Sequence, residues 1–263
     1  MSDERGTAAW LRLVVALVLF FLQLPVIVVV LASVTETAYL TIPPQGFTLA
    51  WFGKVLGDPA YRAAIWLSLL LACLATLGSL LLGTAAAYAL VRKSVPGAEA
   101  ISSLLMAPLV FPSVVIGVAM LQYYALVGLR GGLWGLVLAH IVITVPYVVR
   151  AALTGLAGLG TDLEEAARVL GANGWTAFRL VTLPLLRPAL AAGGLFAFIT
   201  SFDNVPVTVF LLSARQTTLP VKIFTAVEHG VDPTVAAIST LMIVATGLVL
   251  VVAERWLGFH RFV

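Results

Sequence analysis

One carboxylate stands inside a long apolar stretch. Asp203 lies within residues 189–212, and Thr200, Asn204 and Thr208 repeat beside it at four-residue spacing. That spacing predicts a polar stripe on one helix face, near the middle of a membrane span. A carboxylate at that depth costs about 2.5–3.5 kcal/mol on insertion scales, so it should face a cavity or a partner. Pro206 cannot donate to the carbonyl of Phe202, which loosens the helix and leaves an acceptor available. A free carbonyl beside a carboxylate suits a cation path. A structural Asp, paired with a neighbouring chain or a helix cap, suits the same residues.

Other chemistries find little support. No Gly-x-x-x-x-Gly-Lys-[Ser/Thr] occurs, and Gly53-Lys54 is followed by Val55. The chain therefore has no phosphate-binding loop of this type of its own. No His-Glu-x-x-His occurs, and the 3 histidines are scattered, which excludes a recognisable zinc site. His140 reads as a packed, hydrogen-bonded helix residue rather than a proton relay. Cys73 is the single cysteine. It excludes an internal disulfide and a Cys-based metal site, and reads as a small buried hydrophobe. An intramembrane enzyme needs a second carboxylate or a His–Ser pair at depth, and none is placed. Basic residues flank the apolar runs, so nucleic-acid binding has no support.

The elements that position Asp203 follow from composition. The chain is 61% hydrophobic and 10% charged, with a mean hydropathy of +1.09. Soluble domains run at about 45–50% apolar and about 25% charged. Six apolar stretches are long enough to span a bilayer, near 10–34, 63–90, 101–126, 132–152, 189–212 and 233–253. The first run, Trp10 to Ala32, exceeds the roughly 7–15 residues of a signal core, so it reads as an uncleaved span. Residues 1–263 read as a single transmembrane domain.

Lys and Arg set the orientation. With both termini inside, the cytoplasmic segments hold Arg5, Arg12, Arg92, Lys93, Arg150, Arg168, Arg179, Arg187, Arg255 and Arg261. The outer loops hold Lys54, Arg62, Arg130, Arg215 and Lys222. Ten against five predicts cytoplasmic termini. Small residues recur at helical spacing in two spans: Ala75, Ser79, Gly83 and Ala87, then Ala189, Gly193, Ala197 and Ser201. Each set marks a face where backbones approach closely. Packing within the chain and an interface with a second membrane subunit both fit.

A polar segment, about 154–188, interrupts the apolar runs. Thr161-Asp162-Leu163-Glu164 has the form of a capping box, with Glu164 reaching back to the Thr161 N–H. A short helix over Asp162–Leu170 follows, and Gly171 fits the left-handed position beyond its end. Asn173 can cap a second short helix through Trp175, Phe178 and Leu180. The two alanines Ala166 and Ala167 leave a shallow surface that can enter a groove on a partner.

Glu165-Ala166-Ala167, three residues, Gly171, nine residues and Val181-Thr182-Leu183-Pro184 resemble the EAA loop of bacterial ABC-importer permeases. Val181 replaces the usual Ile. Ser201-Phe202-Asp203-Asn204-Val205-Pro206, Leu219-Pro220-Val221-Lys222-Ile223, Asp232-Pro233-Thr234-Val235-Ala236-Ala237 and Phe47-Thr48-Leu49-Ala50-Trp51-Phe52 look like the spermidine/putrescine permease subfamily. The resemblance covers nearly the whole chain. It implies an all-α integral membrane protein of six transmembrane helices, the MetI-like type I ABC-importer permease fold, in the bacterial inner membrane.

The same resemblance implies a function and partners. The chain would be a transport subunit and not an enzyme. Its partners would be a second permease subunit, two ATPase subunits carrying ATP and Mg, and a periplasmic or lipid-anchored solute-binding protein. No cofactor would be bound by this chain. Glu165, Ala166, Ala167, Gly171, Leu183 and Pro184 would couple to the ATPase. Asp203, Asn204, Thr200, Thr208 and Ser113 would serve the solute path. Trp51 and Phe52 read as aromatic interface anchors in lipid, or as docking residues for the binding protein. Polyamine members carry acids where this chain has Ser113 and Asn204. Fewer acids fit a smaller or less cationic solute, and iron, thiamine and aminophosphonates remain in the set. A secondary transporter independent of ATP is the reading of another class, and the EAA-like loop argues against it.

Overall fold

The computed structural model describes residues 2–92, 95–213, 216–230 and 232–257. Of the charges used for orientation, Lys93, Arg215 and Arg261 lie outside them, as does the side chain of Arg5. The described residues are helical, in the order α1 (Ser2–Ala32), α2 (Ala50–Gly57), α3 (Pro59–Arg92), α4 (Ala98–Met106), α5 (Ser113–Val127), α6 (Leu133–Gly158), α7 (Asp162–Val169), α8 (Gly174–Ala177), α9 (Leu183–Phe202), α10 (Thr208–Leu211), α11 (Leu219–His229) and α12 (Pro233–Leu257). Among the described residues, five helices are long and apolar enough to cross a membrane. A bent pair brings the number to six if it counts as one span.

That pair is the third stretch, and it is not a straight span. α4, extended by a tight turn over Ala107–Leu109, meets α5 at a bend of 102°. The cause is local. Pro112 has no N–H to continue the helix, and its ring disfavours a helical Phe111. Pro112 sits at φ −56° and ψ 129°, and α5 starts afresh at Ser113.

Contacts group the chain into two compact units. The smaller holds residues up to Arg62 and Ile223–Val251. In it, α1 presents an apolar surface, with Leu17, Phe20 and Phe21 exposed. The loop after α1 folds back through Glu36 N–H to Gln45 O at 3.0 Å and Thr48 N–H to Val34 O at 2.8 Å. The Trp51 indole N–H donates to the Thr35 carbonyl at 2.8 Å, pinning α2 to that loop. Phe47 is exposed, and Trp51 and Phe52 are half-buried.

The larger unit, built on Ala63–Lys222, is organised around α6. Both small-residue stripes turn onto this helix. A Cβ added at Gly83 of α3 would lie 2.9 Å from the Val148 side chain, and one at Gly193 of α9 would lie 3.1 Å from Val148 Cα. Ser79 bonds Thr144 across the same seam at 2.7 Å. Of the two readings of the stripes, packing within the chain is the one observed. One apolar cluster joins Leu71, Leu136, Ile143 and Val207; another joins Ala87, Val149, Leu156 and Leu186. Cys73 faces outward on α3, not into the core as its residue type suggested.

Candidate functional site

The polar segment forms a tight corner. α7 ends at Val169, and Gly171 adopts φ +93°. Gly171 N–H donates to Arg168 O at 2.9 Å, and Ala172 N–H donates to Ala167 O at 3.0 Å. Those two bonds satisfy carbonyls that a helix end otherwise leaves bare, and the left-handed backbone is why glycine stands there. Asn173 then accepts from the Thr176 N–H at 2.8 Å and caps α8. The second helix expected through Leu180 is not separate. α8 runs through a wide π turn, Phe178–Thr182, directly into α9, so Gly174–Phe202 is one 29-residue span. Pro184 follows the π turn closely, where the regular i→i−4 ladder is already interrupted, so the continuous helix accommodates its missing N–H.

The capping box at Thr161 does not form. Thr161 makes no side-chain cap bond. Glu164 turns inward instead and is 5% exposed. Thr182 Oγ1 donates to its Oε1 at 2.5 Å, Arg92 Nε to Oε1 at 3.3 Å, and Tyr88 Oη to Oε2 at 3.1 Å. Arg92 also donates to the carbonyls of Leu159 and Gly160, at 2.6 and 3.2 Å. A carboxylate with three donors is worth more to the loop than one backbone cap, which is why the long-range contacts win.

This cluster ties the two halves of the motif together. Glu164 adjoins Glu165-Ala166-Ala167, and Thr182 adjoins Leu183-Pro184. Their bond closes an 18-residue excursion. Sequence reading missed this role for Glu164, did not name Tyr88, and gave Arg92 and Thr182 no part in the cluster. One signal was present: Tyr88 and Arg92 are four residues apart, on one face at the end of α3.

Burial by itself pushes the Glu164 carboxyl up. The bonds from Thr182 and Tyr88 and the Arg92 guanidinium outweigh it, and the pKa falls below the ordinary 4.5. A depressed folded-state pKa gives stability that is present above the unfolded value and lost as pH falls through the folded one. The difference in thermal midpoint between the native chain and Glu164→Gln should therefore be largest near about pH 7 and shrink on acidification. A difference that grows below the ordinary carboxylate value removes Glu164 as the acid-sensitive anchor.

The outer face of the corner is open. Glu165 and Ala166 are exposed and Ala167 is half-buried. Val169 and Leu170 are 87% and 89% exposed. Trp175, also exposed, stacks on Phe178, whose ring meets Tyr88 edge-on at 4.7 Å.

At the other end of the 29-residue span the helix stops. α9 ends at Phe202 and Asp203 is its C-cap, at φ −90° and ψ 5°. Asp203 thus ends a helix rather than standing in the middle of one. Pro206 removes the bond to Phe202 and disfavours a helical Val205, so the break falls before the proline. Asp203 is exposed, and Thr200 and Asn204 are half-buried. Thr208, on α10 beyond the break, is fully buried and bonds His140 at 3.0 Å, so the expected single stripe is divided. Ser113 opens α5 and is exposed. One turn later Gly117 lies against the break, and a Cβ there would be 2.9 Å from Pro206 O.

Residues 79–260, which include both the corner and the break, match the family model of the binding-protein-dependent transport system inner membrane component. The chain belongs to this family. The spermidine/putrescine transport system permease protein PotC of Escherichia coli (strain K12) is 32% identical over 235 residues, covering 89% of this chain and 88% of that one. The putrescine transport system permease protein PotI of the same strain is 35% identical over 246 residues, covering 90% and 87%. Among solved structures, a chain of a bacterial ABC transporter that imports the acidic polysaccharide alginate superposes with a TM-score of 0.78 at 17% identity, covering 97% and 98%. That likeness shows the ABC-transporter permease fold. This inner-membrane component is therefore a multi-pass transport subunit of a binding-protein-dependent system, and not an enzyme.

Proposed function

We propose that this chain forms the solute path of an ATP-driven importer for a small polar or cationic compound of the polyamine class. The observation that carries the reading is the corner at Gly171, where Val169 and Leu170 stand bare on a loop locked from beneath by Glu164. A polar loop outside the spans gains nothing by exposing two adjacent apolar side chains, unless a partner covers them. The partner is an ATPase subunit carrying ATP and Mg. Glu165, Ala166, Ala167 and Gly171 form the face it grips, and Leu183 and Pro184 start the span that takes up its motion. Two such ATPases serve this chain and a second, homologous permease. The excess of Lys and Arg supports cytoplasmic termini and a cytoplasmic corner.

Solute enters from the opposite side, delivered by a periplasmic or lipid-anchored binding protein that meets the face bearing Trp51 and Phe52. Asp203 supplies the negative charge, with Thr200, Asn204 and Ser113 along the path and Thr208 buried behind it. The names of PotC and PotI support a polyamine. The lone acid at the break supports a solute with few positive charges.

The test is ATPase activity of the complete complex in lipid, with its binding protein and a panel of putrescine, spermidine, thiamine, ferric iron and aminoethylphosphonate. A polyamine should stimulate hydrolysis, and Asp203→Asn should raise the half-maximal polyamine concentration about tenfold, because the amide oxygen still accepts but the charge that strengthens the bond is gone. Stimulation by an anion or a metal instead keeps the transport role and leaves Asp203 structural. Uptake without any ATPase overturns the coupling reading and leaves a secondary transporter.

A further inference from the structure

We propose that His140 is a positioning residue for the solute path, pinning both ends of the Asp203–Val207 break to α6. The idea rests on the reading that this break lies on the path. His140 is fully buried in α6. Its Nδ1 lies 2.8 Å from Ser201 Oγ, in the last turn of α9. Its Nε2 lies 3.0 Å from Thr208 Oγ1, the first residue of α10. One ring therefore touches the chain immediately before and immediately after the break.

Proton counting makes Nε2 of the ring a donor. Thr208 has a single hydroxyl proton, and it goes to the Asn204 carbonyl at 2.6 Å. Thr208 Oγ1 must then accept from His140, so Nε2 carries a hydrogen. In the neutral ring Nδ1 accepts, and the Ser201 hydroxyl donates to it. Every polar atom in the chain of bonds finds a partner, which is the condition under which a buried polar network holds one geometry.

The pin is anchored at its base. Thr144, one turn along α6, donates to the His140 carbonyl at 2.6 Å and bonds Ser79 of α3 at 2.7 Å. Inside the break, Asn204 Oδ1 accepts from the Val207 N–H at 3.0 Å. On the flank, Gly117 of α5 lets the Pro206 carbonyl and Val207 Cα approach. A rigid ring bonded at both nitrogens sets the separation of Ser201 and Thr208, and with it the presentation of Asp203.

The experiment uses the complete transporter in lipid. In a Cys73→Ser background, Asp203→Cys reports access of an impermeant maleimide to the break. No labelling from outside overturns the path reading. Labelling at a rate that His140→Leu leaves unchanged overturns the pin alone. With native Asp203, His140→Leu should raise the polyamine concentration for half-maximal uptake about tenfold, two net hydrogen bonds being lost. The effect on maximal rate should be smaller. His140→Gln, which can still donate to Thr208, should recover part of the shift. Thr208→Val, which breaks one of the two bonds, should reproduce part of it, and adding it to His140→Leu should change little more. Should maximal rate and thermal midpoint fall as much as the half-saturating concentration rises, with His140→Gln no better than His140→Leu, the histidine is only a core residue.

Discussion

Glu164→Ala should abolish solute-stimulated ATP hydrolysis while Glu165→Ala leaves the corner folded. The two glutamates are neighbours with opposite surroundings. Glu164 holds three donors from α3 and the π turn, and Arg92, 9% accessible, has its charge balanced there. Removing one partner of a buried ion pair costs about 3–5 kcal/mol, because the other is left uncompensated. That corresponds to at least a hundredfold fewer corners in the docking geometry at about 1.4 kcal/mol per tenfold. Glu165 is exposed and α7 closes without it. Its removal should weaken only the grip of the ATPase. The assay is co-purification of the ATPase with the membrane subunit, followed by hydrolysis with and without solute. Retained stimulation in Glu164→Ala, with loss in Glu165→Ala, would falsify the anchoring role and return the weight to the outward face.

Gly83→Leu should prevent the membrane helices from assembling. Even the first carbon added at Gly83 would meet Val148 at 2.9 Å and the backbone nitrogen of Val149 at 3.3 Å. Neither neighbour is the end of a flexible side chain. α3 and α6 would have to part, and the Ser79–Thr144 bond one turn away would go with them. Overpacking costs typically about 1–3 kcal/mol, and a lost buried hydrogen bond adds about 1 more. Gly247→Leu is the matched control, since nothing lies within 4 Å of a Cβ there. Yield of monodisperse protein in mild detergent and its thermal midpoint should drop for Gly83→Leu alone. Equal midpoints for the two variants dispose of the close approach as a determinant of the fold.

What could be read in advance was whatever is decided locally. Gly171 and Asn173 announced the corner because a left-handed turn and an Asn cap are set by the residues themselves. The six apolar runs were visible because each exceeds a bilayer's demand. The largest failure has a physical source. Glu164 has the spacing of a capping box, yet its partners Tyr88 and Arg92 lie 76 and 72 residues away in sequence. No local pattern holds that information. The small-residue stripes were ambiguous for a similar reason: contacts within one chain and between chains use the same residue types in lipid. Proline was read too gently. Pro112 turned an expected straight span into a bend, and Pro206 ended a helix that it was expected to loosen.

The unbroken run from Gly174 to Phe202 has a mechanical consequence. Its 29 residues extend about 43 Å, with the corner at one end and Asp203 just past the other. About two-thirds of the way from the corner to the break, Gly193 rests against α6 with almost no side chain between them. Such a rod pivots more readily than it stretches. A tilt of about 5° about that fulcrum swings the corner by about 2.5 Å and the break by about 1 Å, in opposite directions. Any push on the corner is thereby felt at the break without a relay of intermediate contacts.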